Sequence, residues 1–117
     1  MKLAHAAADA AKGWYVGPWN KSLPLPVGYA TVGIDDPHLH TRLTEVYLIA
    51  RGAAEVRVDQ QTIRVTAGDV LIVEPGEAHT FVSHSPEYFH FVLQLPGLSH
   101  EEARTERIPV SRERLGL

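Results

Sequence analysis

The sequence predicts an all-β protein, built as an antiparallel sandwich or barrel, on three observations. Apolar and charged residues alternate through AEVRVD (residues 54–59) and again through QTIRVTAGD (residues 61–69), which is the two-residue period of a half-buried strand. Turn-forming pairs, one Gly-Asp and two Pro-Gly, separate the apolar runs, and turn signals roughly 8–12 residues apart are typical of such folds. With 117 residues, 44% of them apolar, the chain can bury a hydrophobic core without disulfides as a single domain.

A series of strands is expected between residues 27 and 97. The segment TEVYLIA is rich in β-branched and aromatic residues, which favour strands. The short apolar run VLIV is stopped by Pro75-Gly76, and the longer run YFHFVLQL is closed by Pro96-Gly97. The expected strands, some given with the turns that end them, are 27–33, 44–50, 54–59, 61–69, 70–77, 79–87 and 88–97.

The two ends differ from this central region. The expected division is an N-terminal arm at residues 1–26, the barrel at residues 27–97 and a C-terminal helix or tail at residues 98–117. The alanine-rich residues 3–11 favour a short helix. Ser99 lies three residues before Glu102, a capping-box pattern that predicts a second short helix. The charged tail beyond Pro109 is expected to be loose.

Composition excludes several classes of function. The net charge is −3 and acidic and basic residues are interleaved, so there is no basic patch to indicate nucleic acid. Cysteine is absent, which excludes disulfides and thiolate metal sites. The sequence contains no run of about 18 apolar residues, so no membrane span is predicted. His5 and Asp9 interrupt the apolar N-terminus, which argues against a signal peptide and favours a cytoplasmic location.

Imidazole and carboxylate groups are concentrated in HLHTRLTEVYLIARG, residues 38–52. His38 and His40 share one face if the segment is extended, because side chains alternate with a period of two. Glu45 follows at the start of the next strand, after a turn long enough to bring that strand back beside the first. Imidazole and carboxylate together suit borderline divalent metals. His79, directly after the turn EPGEA, is the candidate for a fourth ligand.

With these residues in place, the sequence resembles the cupin family over roughly residues 27–96. The first cupin motif is a glycine, His-x-His, a glutamate after a short gap, and a glycine six residues further on. It matches Gly33, His38, His40, Glu45 and Gly52. The second motif is a glycine, Pro-x-Gly, histidine and asparagine in spaced order. It matches Gly68, Gly76 and His79.

The sequence departs from the cupin pattern at three positions. Gly33 lies one residue closer to His38 than the pattern has it, which we interpret as a trimmed loop. Glu74 replaces the first proline of the second motif, although Pro75 keeps the turn stiff, and Ser83 replaces the asparagine. None of these changes touches the four ligand positions, so the metal site implied by the resemblance is unaffected.

The resemblance implies a double-stranded β-helix, the cupin jelly-roll barrel, with one divalent metal ion per protomer inside. The metal would be Fe, Mn, Zn, Ni or Cu, held by His38, His40, Glu45 and His79. The alternative is a cupin barrel that no longer binds metal and retains the histidines only through common ancestry. Metal binding is favoured, because unpaired buried histidines and a buried glutamate would otherwise be costly.

Other residues are candidates for the wall of the barrel cavity. Tyr47 has the same parity as Glu45 and is either an aromatic filler or a catalytic acid or base near the metal, as a tyrosine at this position is in some cupin lyases. Phe81 has the same parity as His79, and Ile49 the same parity as Tyr47. Both are expected to line the pocket.

The last long strand is ambiguous. His90 and Gln94 reach the pocket if their face turns inward. The alternative, at least as strongly favoured, turns that face outward and fills the barrel with four large apolar side chains, which prefer the core. These are Phe89, Phe91, Leu93 and Leu95.

The predicted function is a metalloenzyme acting on a small oxygenated organic substrate. It would be a dioxygenase, and hence an oxidoreductase, or a lyase or isomerase acting through an enolate. The alternative is a non-catalytic cupin that binds a small molecule, because the fold does not determine the activity. A homodimer is also expected. Val46, Leu48 and Ala50 form a second apolar face on their strand, which GWYVGPW (residues 13–19) of the same or a partner chain would cover.

Overall fold

A computed structural model describes residues 1–20 and 22–117. Within these residues the chain forms ten strands and three short helices, and the all-β prediction is confirmed. The strands are β1 (Lys12–Val16), β2 (Val27–Ala30), β3 (His38–His40), β4 (Thr44–Arg51), β5 (Ala53–Val58), β6 (Gln61–Thr66), β7 (Val70–Val73), β8 (His79–His84), β9 (Phe89–Leu95) and β10 (Arg107–Pro109). The helices are α1 (His100–Ala103) and two 3₁₀ turns, Pro18–Asn20 and Glu113–Leu115.

The strands form two antiparallel five-stranded sheets that face each other. The first sheet has the order β1-β2-β9-β4-β7 and the second the order β10-β3-β8-β5-β6. Several strands that are consecutive in sequence lie in opposite sheets, as in the double-stranded β-helix that the resemblance implied. The core between the sheets includes Val56, Val73, Phe81 and Tyr88, all almost fully buried. Burying each such side chain stabilises the fold by about 1.5–3 kcal/mol.

The turn between β7 and β8 positions the second half of the barrel against β3. Gly76 has a φ of 85°, and its N–H donates to the carbonyl oxygen of His40 at 2.8 Å. A positive φ of this size favours glycine, because a Cβ would crowd the backbone. The hydrogen bond ties the Pro75-Gly76 turn to the strand that carries two of the predicted ligands.

The structure corrects two expectations about the ends of the chain. Residues 3–11 form no helix and are almost all exposed, because a segment this short needs an apolar face packed on the barrel to remain helical. The tail beyond Pro109 is not loose. Leu115 is completely buried, and its carbonyl oxygen accepts a hydrogen bond from Nε of Arg57 at 2.6 Å. The predicted capping box is confirmed, with Ser99 and Glu102 exchanging hydrogen bonds at the start of α1.

Two strands lie outside residues 27–97, the range expected for the barrel. β1 adds to the edge of the first sheet by pairing with β2, and β10 adds to the edge of the second by pairing with β3. The strand expected at residues 27–33 ends at Ala30. Among the described residues, none of the helices has the length and apolar character needed to cross a membrane.

The outer face of β4 is not covered by the arm of the same chain. β1 lies at the sheet edge, separated from β4 by β2 and β9. Its aromatic residue Tyr15 therefore contacts Tyr29 and Phe91 rather than β4. Leu48 and Ala50 remain exposed, so the expectation that the protein's own arm covers this face is wrong.

Candidate metal centre

The structure brings the four predicted ligand residues together between the two sheets. His38 and His40 lie on β3, Glu45 lies near the start of β4, and His79 is the first residue of β8. Antiparallel pairing of β3 with β8 places His38 opposite His79. One ligand atom from each of the four side chains lies within 4.8 Å of every other. Strand pairing between sequence-distant segments therefore assembles the cluster.

The cluster has the donor arrangement that a cation requires. Oε1 of Glu45 lies 2.9 Å from Nε2 of His40 and 3.2 Å from Nε2 of His79. The first contact has ion-pair distance but lacks hydrogen-bond alignment, so Nε2 of His40 is buried without a hydrogen-bond partner. An unpartnered buried nitrogen is costly. A metal ion coordinated by this nitrogen would remove that cost, so the residues present fit a divalent metal.

Each imidazole is held from behind by an oxygen acceptor. Nδ1 of His38 contacts the carbonyl oxygen of Asp36 at 2.6 Å, and Nδ1 of His79 contacts that of Glu77 at 3.1 Å. Nδ1 of His40 contacts a carboxylate oxygen of Glu106. When Nδ1–H donates to these oxygens, the lone pair of Nε2 is left for a metal, the usual arrangement at metal-binding histidines.

The pKa shifts also favour metal-binding forms of the side chains. Burial lowers the pKa of His38 to about 4, so this imidazole is neutral near neutral pH. Burial alone would raise the pKa of Glu45, but the adjacent imidazoles of His40 and His79 hold it well below its usual value. Burial opposes protonation of His40, yet Glu45 and Glu106 outweigh it and raise the pKa of that imidazole. A bound divalent cation would replace the proton that these two carboxylates attract.

Tyr47 and Gln94 fix the orientation of the Glu45 carboxylate. The Tyr47 hydroxyl donates to Oε1 at 2.9 Å, and Nε2 of Gln94 donates to Oε2 at 3.1 Å. Burial and the Glu45 charge raise the pKa of Tyr47 well above its usual value. Tyr47 is therefore a neutral hydrogen-bond donor that contacts a predicted ligand, a role that the sequence analysis did not consider.

The four-residue cluster opens onto a cavity of about 380 Å³. Phe81, His90 and Gln94 line it, whereas Ile49 is buried in the hydrophobic core and is not part of the cavity wall. The expectation that Ile49 lines the pocket is therefore wrong. Its side chain packs within the apolar cluster that includes Val56 and Val65.

The face of β9 that turns inward carries His90, Val92 and Gln94. The alternative, in which the four apolar side chains of this strand fill the barrel, is wrong, because those side chains lie on the opposite face. Apolar side chains of β1 and β2 partly cover that outer face, which reduces the cost of leaving the core. Nδ1 of His90 and the Tyr88 hydroxyl share a hydrogen bond of 2.6 Å, and burial lowers the pKa of His90 to about 4.

Several residues of the site were not predicted from the sequence. Glu106 is 2% exposed behind His40, and Lys12, Trp14 and Arg107 line the cavity. Glu106 and Arg107 lie in the segment that was expected to be a tail. The signal that would have found them is the three-residue strand RIP, which is too short to stand out from the sequence pattern.

Comparison with known proteins supports the fold. The family description "Cupin domain" matches residues 27–94. A search of curated protein sequences finds no match to the chain.

Solved structures of similar fold share little sequence with this chain. A Cupin 2 conserved barrel domain protein from Salinispora arenicola has a TM-score of 0.63 at 19% identity, covering 80% of this chain and 87% of its own. KdgF from Halomonas sp. has a TM-score of 0.60 at 19% identity, covering 78% and 81%. A PAC13 variant from Streptomyces with uridine has a TM-score of 0.63 at 13% identity, covering 92% and 85%. Given the barrel, the assembled cluster and a family match over more than half of its residues, the chain belongs to the cupin family.

Proposed function

We propose that this cupin is a metalloenzyme that binds one divalent metal ion and acts on a small oxygenated organic molecule. The single observation that carries the proposal is the convergence of His38, His40, Glu45 and His79 at a cavity of about 380 Å³. A volume of this size is typical of small-molecule sites. A dioxygenase and a lyase or isomerase are the two classes of reaction that we consider.

The metal ion, when bound, would act as a Lewis acid that polarises an oxygen of the substrate. The chain's own residues have separate tasks. Phe81 and Val92 provide apolar wall that excludes water, and Gln94 holds one oxygen of Glu45. Tyr47 keeps its proton on the phenol oxygen, 2.9 Å from the other oxygen of Glu45. Because its pKa is raised, Tyr47 stays protonated at neutral pH, so it can serve as a hydrogen-bond or proton donor and not as a base.

The experiment begins with metal analysis of protein purified without chelator or nickel resin. Iron-, manganese- and zinc-loaded forms are then offered small diketones, catechols and hydroxy acids, and oxygen uptake and products are followed. We expect turnover of one class, and we expect metal removal by a chelator to abolish it. Protein with no divalent metal and no capacity to bind one would contradict the proposal.

Tyr47→Phe tests whether Tyr47 takes part in the chemistry. We expect turnover per bound metal to fall at least 100-fold, within the range of a lost general acid, which is about 10²–10⁴. Gln94→Leu is the matched control, because it removes the other hydrogen bond to Glu45 without removing an acid. Equal turnover in wild type and Tyr47→Phe at equal metal loading would mean that Tyr47 only orients the Glu45 carboxylate and takes no part in the chemistry.

The second candidate function is a non-catalytic cupin that binds a small molecule. One observation favours it: the Tyr47 hydroxyl is already committed to Glu45, so the described cavity wall has no hydroxyl shown to be free for proton transfer. The structure of a PAC13 variant with uridine is an example of a small molecule with a protein of this fold. Tight binding of one screened compound, with no product under any metal, would favour this second function.

We also propose that the protein is a homodimer through the outer face of the first sheet. Val70 and Ile72 are more than half exposed there, and Leu48 on the neighbouring β4 is also exposed. A contiguous exposed apolar surface of this kind typically marks an interface. Light scattering at micromolar concentration should give twice the monomer mass, and Ile72→Lys should reduce it. A monomer mass for the wild type would contradict the proposal.

A further inference from the structure

Arg107 lies on the face of β10 that turns towards the metal centre. Its Cα is paired with that of His40 across the antiparallel strands β10 and β3. Side chains of directly paired residues project from the same face of a sheet, and both residues line the cavity. Arg107 therefore lies beside the ligand cluster, on the same face of the second sheet as His40.

The guanidinium retains unused hydrogen-bond donors. Its Nη2 donates to Oδ2 of Asp36 at 2.6 Å, which is its only side-chain hydrogen bond to any residue in the ranges 1–20 and 22–117. The Arg107 side chain is 41% exposed, so the remaining N–H groups are accessible from the cavity or from solvent. A guanidinium has five N–H donors in a planar fork that matches a carboxylate. Asp36 thus holds Arg107 in place without saturating it.

The charges around the cavity favour an anion. Lys12 is a second cation on the cavity wall, and no carboxylate of the described chain lies within ion-pairing distance of it. The carboxylates on the wall are Asp36, which pairs with Arg107, and Glu45, which belongs to the ligand cluster. A divalent metal ion in that cluster would make the cavity positive as a whole, and a positive cavity concentrates anions.

The apolar part of the wall defines the rest of the ligand. Trp14, Tyr47 and Phe81 each present aromatic surface to the cavity. Rings of this kind pack well against a planar or otherwise apolar body. The combination of aromatic wall, metal ligands and an arginine fork fits a molecule that is apolar in the middle and has oxygen atoms at both ends.

We propose that the cavity selects a small organic carboxylate, with its carboxylate group bound by Arg107 and an oxygen donor at its other end facing the ligand cluster. This inference rests on the proposed function, since it assumes a metal at His38, His40, Glu45 and His79. It makes Arg107 a determinant of specificity rather than a surface residue that only ties β10 to the loop before β3.

A matched arginine in the same segment separates these two roles. Arg112 also pairs with an aspartate before β3, through two contacts of 2.8 and 2.7 Å to Asp35. Arg112 does not line the cavity. Arg107→Gln and Arg112→Gln therefore each break an exposed Arg–Asp pair, but only the first removes a cation from the cavity wall.

The test measures binding of protocatechuate and its amide, protocatechuamide, to the zinc-loaded protein by calorimetry. The two probes share the catechol oxygens that can bind a metal and differ at the other end, where one has a carboxylate and the other a neutral amide. We expect the wild type to bind the acid at least about tenfold more tightly, the size expected for one charge-assisted hydrogen bond. Arg107→Gln should abolish this preference, and Arg112→Gln should retain it.

Arg107→Lys is the second variant, included in case Arg107→Gln disrupts the pairing of β10 with β3. It retains the positive charge at this position. It should show an intermediate preference, because a single ammonium lacks the fork. Equal affinity of the wild type for the two probes, no binding of the acid, or an unchanged preference in Arg107→Gln would overturn the inference. Zinc is redox-inert and no turnover is measured, so these results hold even if the protein is not catalytic. A protein that takes up no zinc would instead contradict the proposed function.

Discussion

The barrel segment, residues 27–94, and the C-terminal segment, residues 104–109, meet at His40 but contribute different chemistry. The barrel supplies the four side chains whose ligand atoms converge. The C-terminal segment contributes a carboxylate behind one of those side chains, at Glu106, and a guanidinium on the cavity wall, at Arg107. The comparison shows that the barrel segment contains the residues that could hold a metal ion, whereas a segment outside the family match supplies charge around them.

The largest effect should come from removing a ligand of the barrel segment. His79→Ala should lower zinc affinity by more than the roughly 100-fold that loss of an outer partner costs, while the fold survives. Metal content after dialysis, measured by plasma mass spectrometry, checks this. His84→Ala is the matched control, because His84 is an exposed histidine at the other end of β8. Full metal content in His79→Ala would remove His79 from the site.

A smaller effect should come from the C-terminal segment. Glu106→Gln replaces the charged acceptor behind Nδ1 of His40 with a neutral amide and should weaken zinc binding about 10–100-fold. Competition with a chelating dye measures the affinity. Glu102→Gln is the control, since Glu102 is an exposed carboxylate that pairs with Arg42 instead. Unchanged affinity in Glu106→Gln would mean that the barrel segment orients its own ligands without help.

The smallest effect concerns the stability of the metal-free protein as a function of pH. Burial lowers the pKa of His90 to about 4 from the usual 6.5, so the unfolded chain binds more protons between these values. Stability must then fall as the pH falls through this window. His90 alone should cost about 2 kcal/mol between neutral pH and about pH 5. Urea unfolding of the chelated protein measures this loss.

His40 responds to pH in the opposite direction. Despite burial, Glu45 and, to a smaller extent, Glu106 raise its pKa in the folded protein, so its contacts with these carboxylates contribute stability at low pH that is lost as the pH rises through the raised value. Because the lowered pKa of His90 is what destabilises the fold in acid, His90→Gln should reduce the loss of folding stability at acidic pH. His90→Gln combined with Glu106→Gln should restore part of it. An acid sensitivity that is the same in wild type and His90→Gln would place its origin elsewhere.

The sequence was sufficient to predict the barrel and the four residues that the fold brings together, for physical reasons. Alternation in AEVRVD encodes a half-buried strand directly, and the spacing of His38, His40 and Glu45 reflects local turn geometry. The inward-facing side of β9 was harder to predict, because both faces of the strand contain large side chains. Their assignment depends on which neighbouring strands cover the outer face, and those strands are distant in sequence.

Glu106 and Arg107 were not predicted because their function depends on pairing over a long distance in sequence. Each has the ordinary appearance of a charged residue in a polar tail. Only the pairing of β10 with β3 in the folded protein shows that the segment joins the second sheet. The helix expected at residues 3–11 failed for a related reason, since alanine-rich composition describes local propensity and not tertiary contact.

The short strand β3 has a consequence for motion. It holds two of the predicted ligands, yet it pairs with β8 only at His38 and with β10 along its whole length. β3 and β10 should therefore fluctuate as one unit at the sheet edge, with opening free energies below that of global unfolding. The amides of Leu39 and Ile108 should show similar hydrogen-exchange rates, faster than those of β4 and β9. Such local opening would give a metal ion a path to the cluster while the rest of the barrel stays folded.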